Sequence, residues 1–239
     1  MARIALIGYG KMGQAIEKIA KERGNTISYI IDQNNMDDLS KINKDNTDSI
    51  IEFSIPSSAV SNLKKCFDSQ VPVVCGTTGW LEHWDDVVSS AKAKESGFFY
   101  ASNYSVGVNI FFKLNEWLAK AMNQFGQYNV LMEEIHHVHK QDEPSGTAIT
   151  LAEGVTKNLD RKTDWKLYFE EQEQDIAITS KRIGEVPGTH SITYRSPIDD
   201  IEITHTAHSR QGFALGAVLA AEYMVGKNEV LGMDEMLKF

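Results

Sequence analysis

The densest chemistry in the sequence runs from Glu133 to Ala148, EEIHHVHKQDEPSGTA, which gathers three of the seven histidines and a lysine ahead of a Ser-Gly-Thr. Histidine and lysine supply titratable protons. Gly146 and Thr147 stand where an apolar helical pattern begins (Ala148, Leu151, Ala152, Val155), so they offer N–H groups and a hydroxyl to an anion. One reading is acid–base chemistry near neutral pH beside a carboxylate cradle. A metal site is a second reading. It is weakened because adjacent residues on a strand point to opposite faces, so His136 and His137 cannot easily share one ion. A third reading is architectural, with histidines ending a strand and Pro144-Ser145-Gly146 starting a helix. No metal is expected.

A second constellation lies near the N-terminus, where Gly8-Tyr9-Gly10-Lys11-Met12-Gly13 satisfies G-x-G-x-x-G. Each glycine answers a different demand: a tight turn, backbone close to a pyrophosphate, and close packing of a helix on a strand. Asp32 follows Gly8 by 24 residues and would accept from ribose hydroxyls. Gln33, Asn34 and Asn35 come next without an arginine, which favours NADH over NADPH, while Lys11 pulls the other way by offering a charge to a phosphate. Gly76-Thr77-Thr78-Gly79 and Ser102-Asn103-Tyr104-Ser105 each follow a strand-like run, at the edge where open α/β sheets bind ligands. They are candidates for the nicotinamide ribose and carboxamide; ordinary turns are the alternative.

The elements that would position these groups alternate. Arg3–Ile7, Thr26–Ile31, Ser49–Ser54, Val71–Cys75 and Phe98–Ala101 read as strands, separated by helical patterns, which implies a parallel sheet covered on both faces. The rhythm changes near Ser105. An apolar helix (Val108, Phe111, Phe112, Leu114, Leu118, Met122) precedes strand candidates at Tyr128–His137, Ile176–Ile183, His190–Ser196 and Asp200–His208, pointing to a second domain with an antiparallel or mixed sheet. Gln211–Met224 then reads as an apolar helix returning to the first domain. The expected fold is α/β, with residues 1–104 and 211–239 forming a dinucleotide-binding domain and 105–210 a second domain.

Composition narrows the function. The chain has 239 residues, 42% hydrophobic and 24% charged, enough for a sizeable core. Its formal charge of −9 gives no overall attraction for nucleic acid or an anionic membrane, and the apolar stretches are short of a membrane span. Cys66 and Cys75, with no signal peptide ahead of them, suit a reducing cytoplasm. Glu170, Glu171, Glu173 and Asp175 read as a solvated acidic patch.

With these residues in view, the chain resembles the dihydrodipicolinate reductases, NAD(P)H-dependent enzymes of diaminopimelate and lysine biosynthesis. The likeness is carried by the N-terminal glycine loop, GTTG at Gly76–Gly79, NYSVGVN at Asn103–Asn109, E-I-H-H-x-x-K-x-D-x-P-S-G-T-A at Glu134–Ala148, and His208-Ser209-Arg210. The resemblance implies a Rossmann domain built from both ends of the chain, a central mixed domain that binds a small dicarboxylate, and a homotetramer assembled through that domain's sheet. It implies His136 as the acid/base group, Lys140 as proton donor, His137, Ser145 and Arg210 as substrate contacts, and Gly146-Thr147 as the carboxylate cradle. The cofactor would lie along Gly8, Tyr9, Gly10, Lys11, Met12, Asp32, Gly76, Thr77, Thr78, Ser102, Asn103, Tyr104 and Ser105. Both NADH and NADPH are expected, NADH being favoured. The loop is one residue shorter than the commoner family form, and Gln33 stands where some members carry arginine; both bear on cofactor choice. Two rivals remain: a dehydrogenase using Cys75 as covalent nucleophile, and a non-enzymatic NADH sensor, which would have no need of the histidine-rich segment.

Overall fold

The structure is a computed structural model, and it describes residues 1–209 and 211–239. The first elements are β1 (Arg3–Ile7), α1 (Lys11–Glu22), β2 (Thr26–Ile31), β3 (Ser49–Glu52), α2 (Pro56–Phe67), β4 (Val73–Cys75), α3 (Trp84–Ala93) and β5 (Phe98–Tyr100). Next come α4 (Val106–Met122), β6 (Asn129–His136), α5 (Gly146–Thr156), β7 (Asp164–Leu167), β8 (Asp175–Arg182), β9 (Gly188–Arg195) and β10 (Asp200–Ala207). The chain closes with α6 (Gln211–Met224), β11 (Val230–Leu231) and α7 (Met233–Leu237). Contacts divide it into two compact units, Met1–Val106 with Gln211–Phe239, and Gly107–Arg210.

The first unit carries a six-stranded parallel sheet in the order β11-β5-β4-β3-β1-β2. Its strands are apolar on both sides because both sides are covered. In β1, Ile4 and Leu6 pack on the face shared with α1 and α6, while Ala5 and Ile7 pack on the face shared with α2 and α3. α6 lies close enough that a Cβ on Gly216 would come within 1.7 Å of the Tyr104 carbonyl oxygen. The strand order reverses at β1 and β3, and such a switch point opens a crevice at the carboxyl ends of the strands.

The second unit holds a mixed sheet in the order β10-β9-β6-β8-β7, with β6, β8 and β7 parallel and β9 antiparallel to both β6 and β10. Along β6 the side chains alternate between buried and half-buried, as expected when helices cover one face only. Phe111, Leu118 and Met122 of α4 and Leu151 and Val155 of α5 pack there on Val130, Met132, Ile178 and Ile192. β7, β11 and α7 were not foreseen from the sequence, being short and without a decisive period. The acidic patch needs correction at one residue. Asp175 opens β8 buried, its Oδ2 accepting from the Gln172 N–H at 2.9 Å, and Lys162 Nζ donates to its carbonyl at 2.7 Å.

Candidate active site

In the first unit the three glycines are distinct in space as well as in pattern. Gly8 has φ +92°, and a Cβ there would meet the Phe53 carbonyl oxygen at 2.1 Å. A Cβ on Gly13 would meet the Gly8 carbonyl oxygen at 2.4 Å, so that glycine lets α1 close on β1. Among the described residues nothing lies within 4 Å of a Cβ position on Gly10, and no side chain caps the helix that starts after it. Open space over a helix N-terminus is what a pyrophosphate needs. The residues therefore fit a dinucleotide. Lys11 is exposed at the helix start, Met12 packs against the core, and the Tyr9 hydroxyl donates a hydrogen bond to the Glu17 carboxylate of α1.

Asp32 directly follows β2, half-buried, with Oδ1 accepting from the Asn34 N–H at 2.7 Å. Among the described residues no hydrogen bond engages its other oxygen. Gln33 beside it is exposed. Changing Asp32 to Ser and Gln33 to Arg is expected to move kcat/KM toward NADPH, since it removes a carboxylate and adds a guanidinium that grips phosphate at two points. Steady-state rates with both cofactors, at low and physiological ionic strength, check this.

Phe53, at the end of β3, was not singled out from the sequence. Its ring occupies the place where a Cβ on Gly76 would stand, 1.9 Å away, so the GTTG loop passes directly against it. The available signal was its position just past a strand at the switch point. Thr77 is buried and its Oγ1 accepts from the Ser54 N–H at 2.8 Å, whereas Thr78 is exposed. Ser102 is exposed and Asn103 half-buried, its Oδ1 taking the Ser105 N–H at 2.9 Å. The Tyr104 side chain lies in the core and donates to the Cys75 carbonyl at 2.7 Å, so only the backbone of that residue could serve a cofactor. Cys75 is fully buried, and burial pushes its thiol well above the ordinary range. A thiol held protonated and out of reach is no nucleophile, which removes the covalent rival.

In the second unit the chemistry gathers at the end of β6. Glu134 and His136 are two residues apart and so share the buried face of the strand. Register places His190 of β9 opposite Glu134 on one side and Ser180 of β8 on the other. The Glu134 carboxylate accepts from Ser180 Oγ at 2.9 Å, from the Ser145 N–H at 3.0 Å and from the Arg182 guanidinium at 3.2 Å. His136 Nδ1 and His190 Nε2 stand 3.3 and 3.6 Å from its Oε2. Burial opposes the charge, yet His136, His190, Ser145 and Ser180 together hold this carboxyl well below the usual range, and it is ionised. Burial lowers His190, against the opposing pull of the Glu134 carboxylate. A Cβ on Gly188 would approach His136 Nε2 to 3.1 Å, so the glycine keeps that nitrogen's side clear.

Neither Glu134 nor His190 was named as functional from the sequence. The first could have been found from its i, i+2 relation to His136; the second depends on register across 54 residues of chain. Glu134, His136 and His190 also place potential ligand atoms within 4.8 Å of one another, so any ion here would sit against these three rather than between the adjacent His136 and His137. The Arg182 guanidinium pairs with that carboxylate at 3.2 Å, and both imidazoles lie beside it, His190 also meeting Ser145 Oγ.

Lys140 Nζ donates to both oxygens of Asp142, at 2.7 and 2.8 Å, and His137 is half-buried, its Nδ1 without a hydrogen-bond partner among the described residues. Ser145 does not present its side chain outward: it is 2% exposed, and its Oγ accepts from the Ala148 N–H at 3.2 Å and meets His190 Nε2 at 3.1 Å. It caps α5 and ties that helix start to the histidines. Gly146, next to it, is exposed with nothing near its Cβ position, and Thr147 is half-buried. Arg210, the remaining substrate residue expected from the sequence, lies outside the described residues.

A family model described as dihydrodipicolinate reductase, N-terminus, matches residues 2–104, and one described as dihydrodipicolinate reductase, C-terminus, matches residues 107–237. The chain belongs to the dihydrodipicolinate reductase family. A 4-hydroxy-tetrahydrodipicolinate reductase from Christiangramia forsetii is 49% identical over 98% of this chain and 97% of its own length. The solved structure of a dipicolinate-bound dihydrodipicolinate reductase from Paenisporosarcina sp. TG-14 superposes with a TM-score of 0.76 at 21% identity, covering 98% of both chains. An amine dehydrogenase from Mycobacterium smegmatis shares the fold alone, at TM-score 0.60 and 11% identity over 94% of this chain and 92% of that one. The segment from Glu134 to Ala148 lies within the C-terminal family match and the glycine loop within the N-terminal one.

Proposed function

We propose that the chain reduces 4-hydroxy-tetrahydrodipicolinate to tetrahydrodipicolinate, consuming one NADH or NADPH and one proton and releasing one water. The observation that carries this reading is the Glu134–His136–His190 cluster, bonded through Ser145 to an open helix start. When bound, the cofactor supplies the hydride from C4 of its dihydronicotinamide. The first unit would hold it, Gly10 leaving space for the pyrophosphate, Asp32 accepting from the ribose, and Thr78 and Ser102, both exposed, available to the nicotinamide half.

In the second unit, the Gly146 and Thr147 N–H groups and the Thr147 hydroxyl receive a substrate carboxylate, aided by the α5 dipole. With Nδ1 directed at Glu134, His136 exchanges its proton through Nε2. Lys140 Nζ, kept in place by Asp142, delivers the proton that balances the hydride. His137 contacts the dianion. These cations act locally within a chain of net charge −9.

An assay following NADH oxidation with freshly generated substrate tests the reaction. Absence of turnover would favour a sensor of the reduced cofactor instead. Thr147→Val is expected to raise KM for the dianion by a factor equivalent to about 1.5–3 kcal/mol, with little change in kcat. Pyridine-2,6-dicarboxylate should compete with substrate and bind the variant more weakly; equal inhibition would place the carboxylates elsewhere.

The chain assembles as a homotetramer through the sheet of its second unit. Support comes from β10, an eight-residue edge strand that is mostly exposed in the single chain, a situation proteins usually resolve by covering the edge. Light scattering at micromolar concentration measures this. The activity is placed in the cytoplasm, where two free, buried cysteines stay reduced; no helix among the described residues is long and apolar enough to cross a membrane.

A further inference from the structure

The carboxyl of Glu52 takes part in none of these steps. It closes β3, is fully buried, and among the described residues no cation pairs with it. Neighbouring side chains hold both its oxygens: Ser54 Oγ, just past β3, bonds Oε1, and Cys75 Sγ, at the end of β4, reaches Oε2 at 3.3 Å. Ser54 donates its N–H to Thr77 Oγ1 and receives Nδ2 of buried Asn62 on its hydroxyl at 3.2 Å. The Thr77 carbonyl accepts from Trp80 Nε1 at 2.7 Å, and the Gly76 N–H donates to the Glu52 carbonyl at 2.9 Å.

We propose that Glu52 is a positioning residue for the cofactor: its buried carboxyl fixes the Phe53–Ser54 turn against the Gly76–Gly79 loop and so sets where the nicotinamide ribose is held. This rests on the cofactor placement proposed above. Both segments follow directly on neighbouring paired strands, and without the carboxyl the polar ties between them would be the Gly76 N–H and the Thr77 hydroxyl, beside the packing of Phe53 on Gly76.

The same carboxyl gives the idea a distinctive readout. Burial pushes it up, outweighing the bonds from Ser54, Thr77, Cys75 and Asn62. The titratable groups facing it are Cys75 at the end of β4, Cys66 on α2 and Tyr104 after β5; burial pushes each of these up as well, so none brings a compensating charge. A neutral carboxyl can accept from the thiol and donate to a hydroxyl, whereas an ionised one would be an unpaired buried charge. Because the folded state raises this group, its stabilising contribution is complete below the ordinary carboxylate range and is lost as pH rises through the folded value.

The test compares wild type, Glu52→Gln, Glu52→Ala and Gly10→Val as whole proteins, by NADH fluorescence titration and thermal unfolding from about pH 5 to about pH 9. Glu52→Ala should weaken NADH binding about 10-fold, and Glu52→Gln, which keeps the shape and both bonding functions, less than about 3-fold. With rising pH, wild type should lose both NADH affinity and Tm relative to Glu52→Gln. Equal losses in the Ala and Gln variants, or a wild-type to Gln difference that is flat with pH, would overturn the proposal. Should Glu52→Ala fail to fold, the pH comparison of wild type with Glu52→Gln decides alone. Undiminished NADH binding by Gly10→Val would instead remove the cofactor placement, whatever Glu52 does.

Discussion

Replacing His136 by Ala, or Lys140 by Met, is expected to lower kcat by roughly 10²–10⁴-fold while the dissociation constant for NADH changes little. The size follows from the role: a positioned proton donor or acceptor acts on the barrier, not on cofactor affinity. The structure sharpens the expectation for His136. Its ring is pinned between Glu134 and the His190 ring, whose centroid is 5.0 Å away, and its Nε2 side is left clear by Gly188. Glu134→Gln should therefore reproduce much of the His136→Ala loss, because a neutral amide no longer fixes the imidazole with Nδ1 inward. Lys140 is held by Asp142 on a turn outside the strand, so Lys140→Met should leave the fold unperturbed. Single-turnover rates with saturating substrate, beside NADH titrations of each variant, check these outcomes. Near-normal rates in both His136→Ala and Lys140→Met would take the pair out of the chemistry.

Gly10→Val is expected to weaken NADH and NADPH alike by at least about 30-fold, the loss of one or two hydrogen bonds to a charged group. Gly10 has φ −79°, which any residue adopts, and its Cβ direction is empty. The valine therefore fits the free protein and intrudes only where the pyrophosphate would lie. Thermal unfolding should shift by no more than about 4 °C, reflecting the poorer helix cap. Gly8→Val is the informative contrast. There the added carbon would collide with the Phe53 carbonyl at a positive φ, so stability and binding should fall together. A Gly10→Val protein that binds NADH normally would show that the glycine loop is only a strand–helix turn.

The sequence showed features whose period or spacing is local. Strands and helices of the first unit stood out because each is apolar on two sides or one, and the glycine pattern carried its own turn, space and packing requirements. The second sheet could be read as strands but not as an order, since β8 lies beside β6 although α5 and β7 come between them in the chain. Long-range register also hid the partners of His136. His190 and Ser180 reach Glu134 only because β9 and β8 flank β6, and nothing in a one-dimensional spacing announces that. Tyr104 and Ser145 show what spacing leaves open: each lies within a candidate binding segment, and its side chain turns inward, one as a strut on the Cys75 carbonyl and one as a helix cap. Residue type locates such a segment; only packing tells which atoms it offers.

The first unit takes its last helices and edge strand from residues 211–239, after the whole second unit has been made. During synthesis, then, Ile4, Leu6, Val74 and Phe99 emerge early while Ala217, Val218, Ala221 and Met224, which cover the same cluster, arrive last. At ribosomal speeds of roughly 5–20 residues per second, the interval is on the order of ten seconds. For that time one face of the nascent sheet is greasy and open, while the interposed unit can already close its own core of α4, α5 and β6–β10. The order of completion is thus inverted with respect to the order of translation. The nascent chain's demand on chaperones should fall most heavily on the face that α6 will later cover.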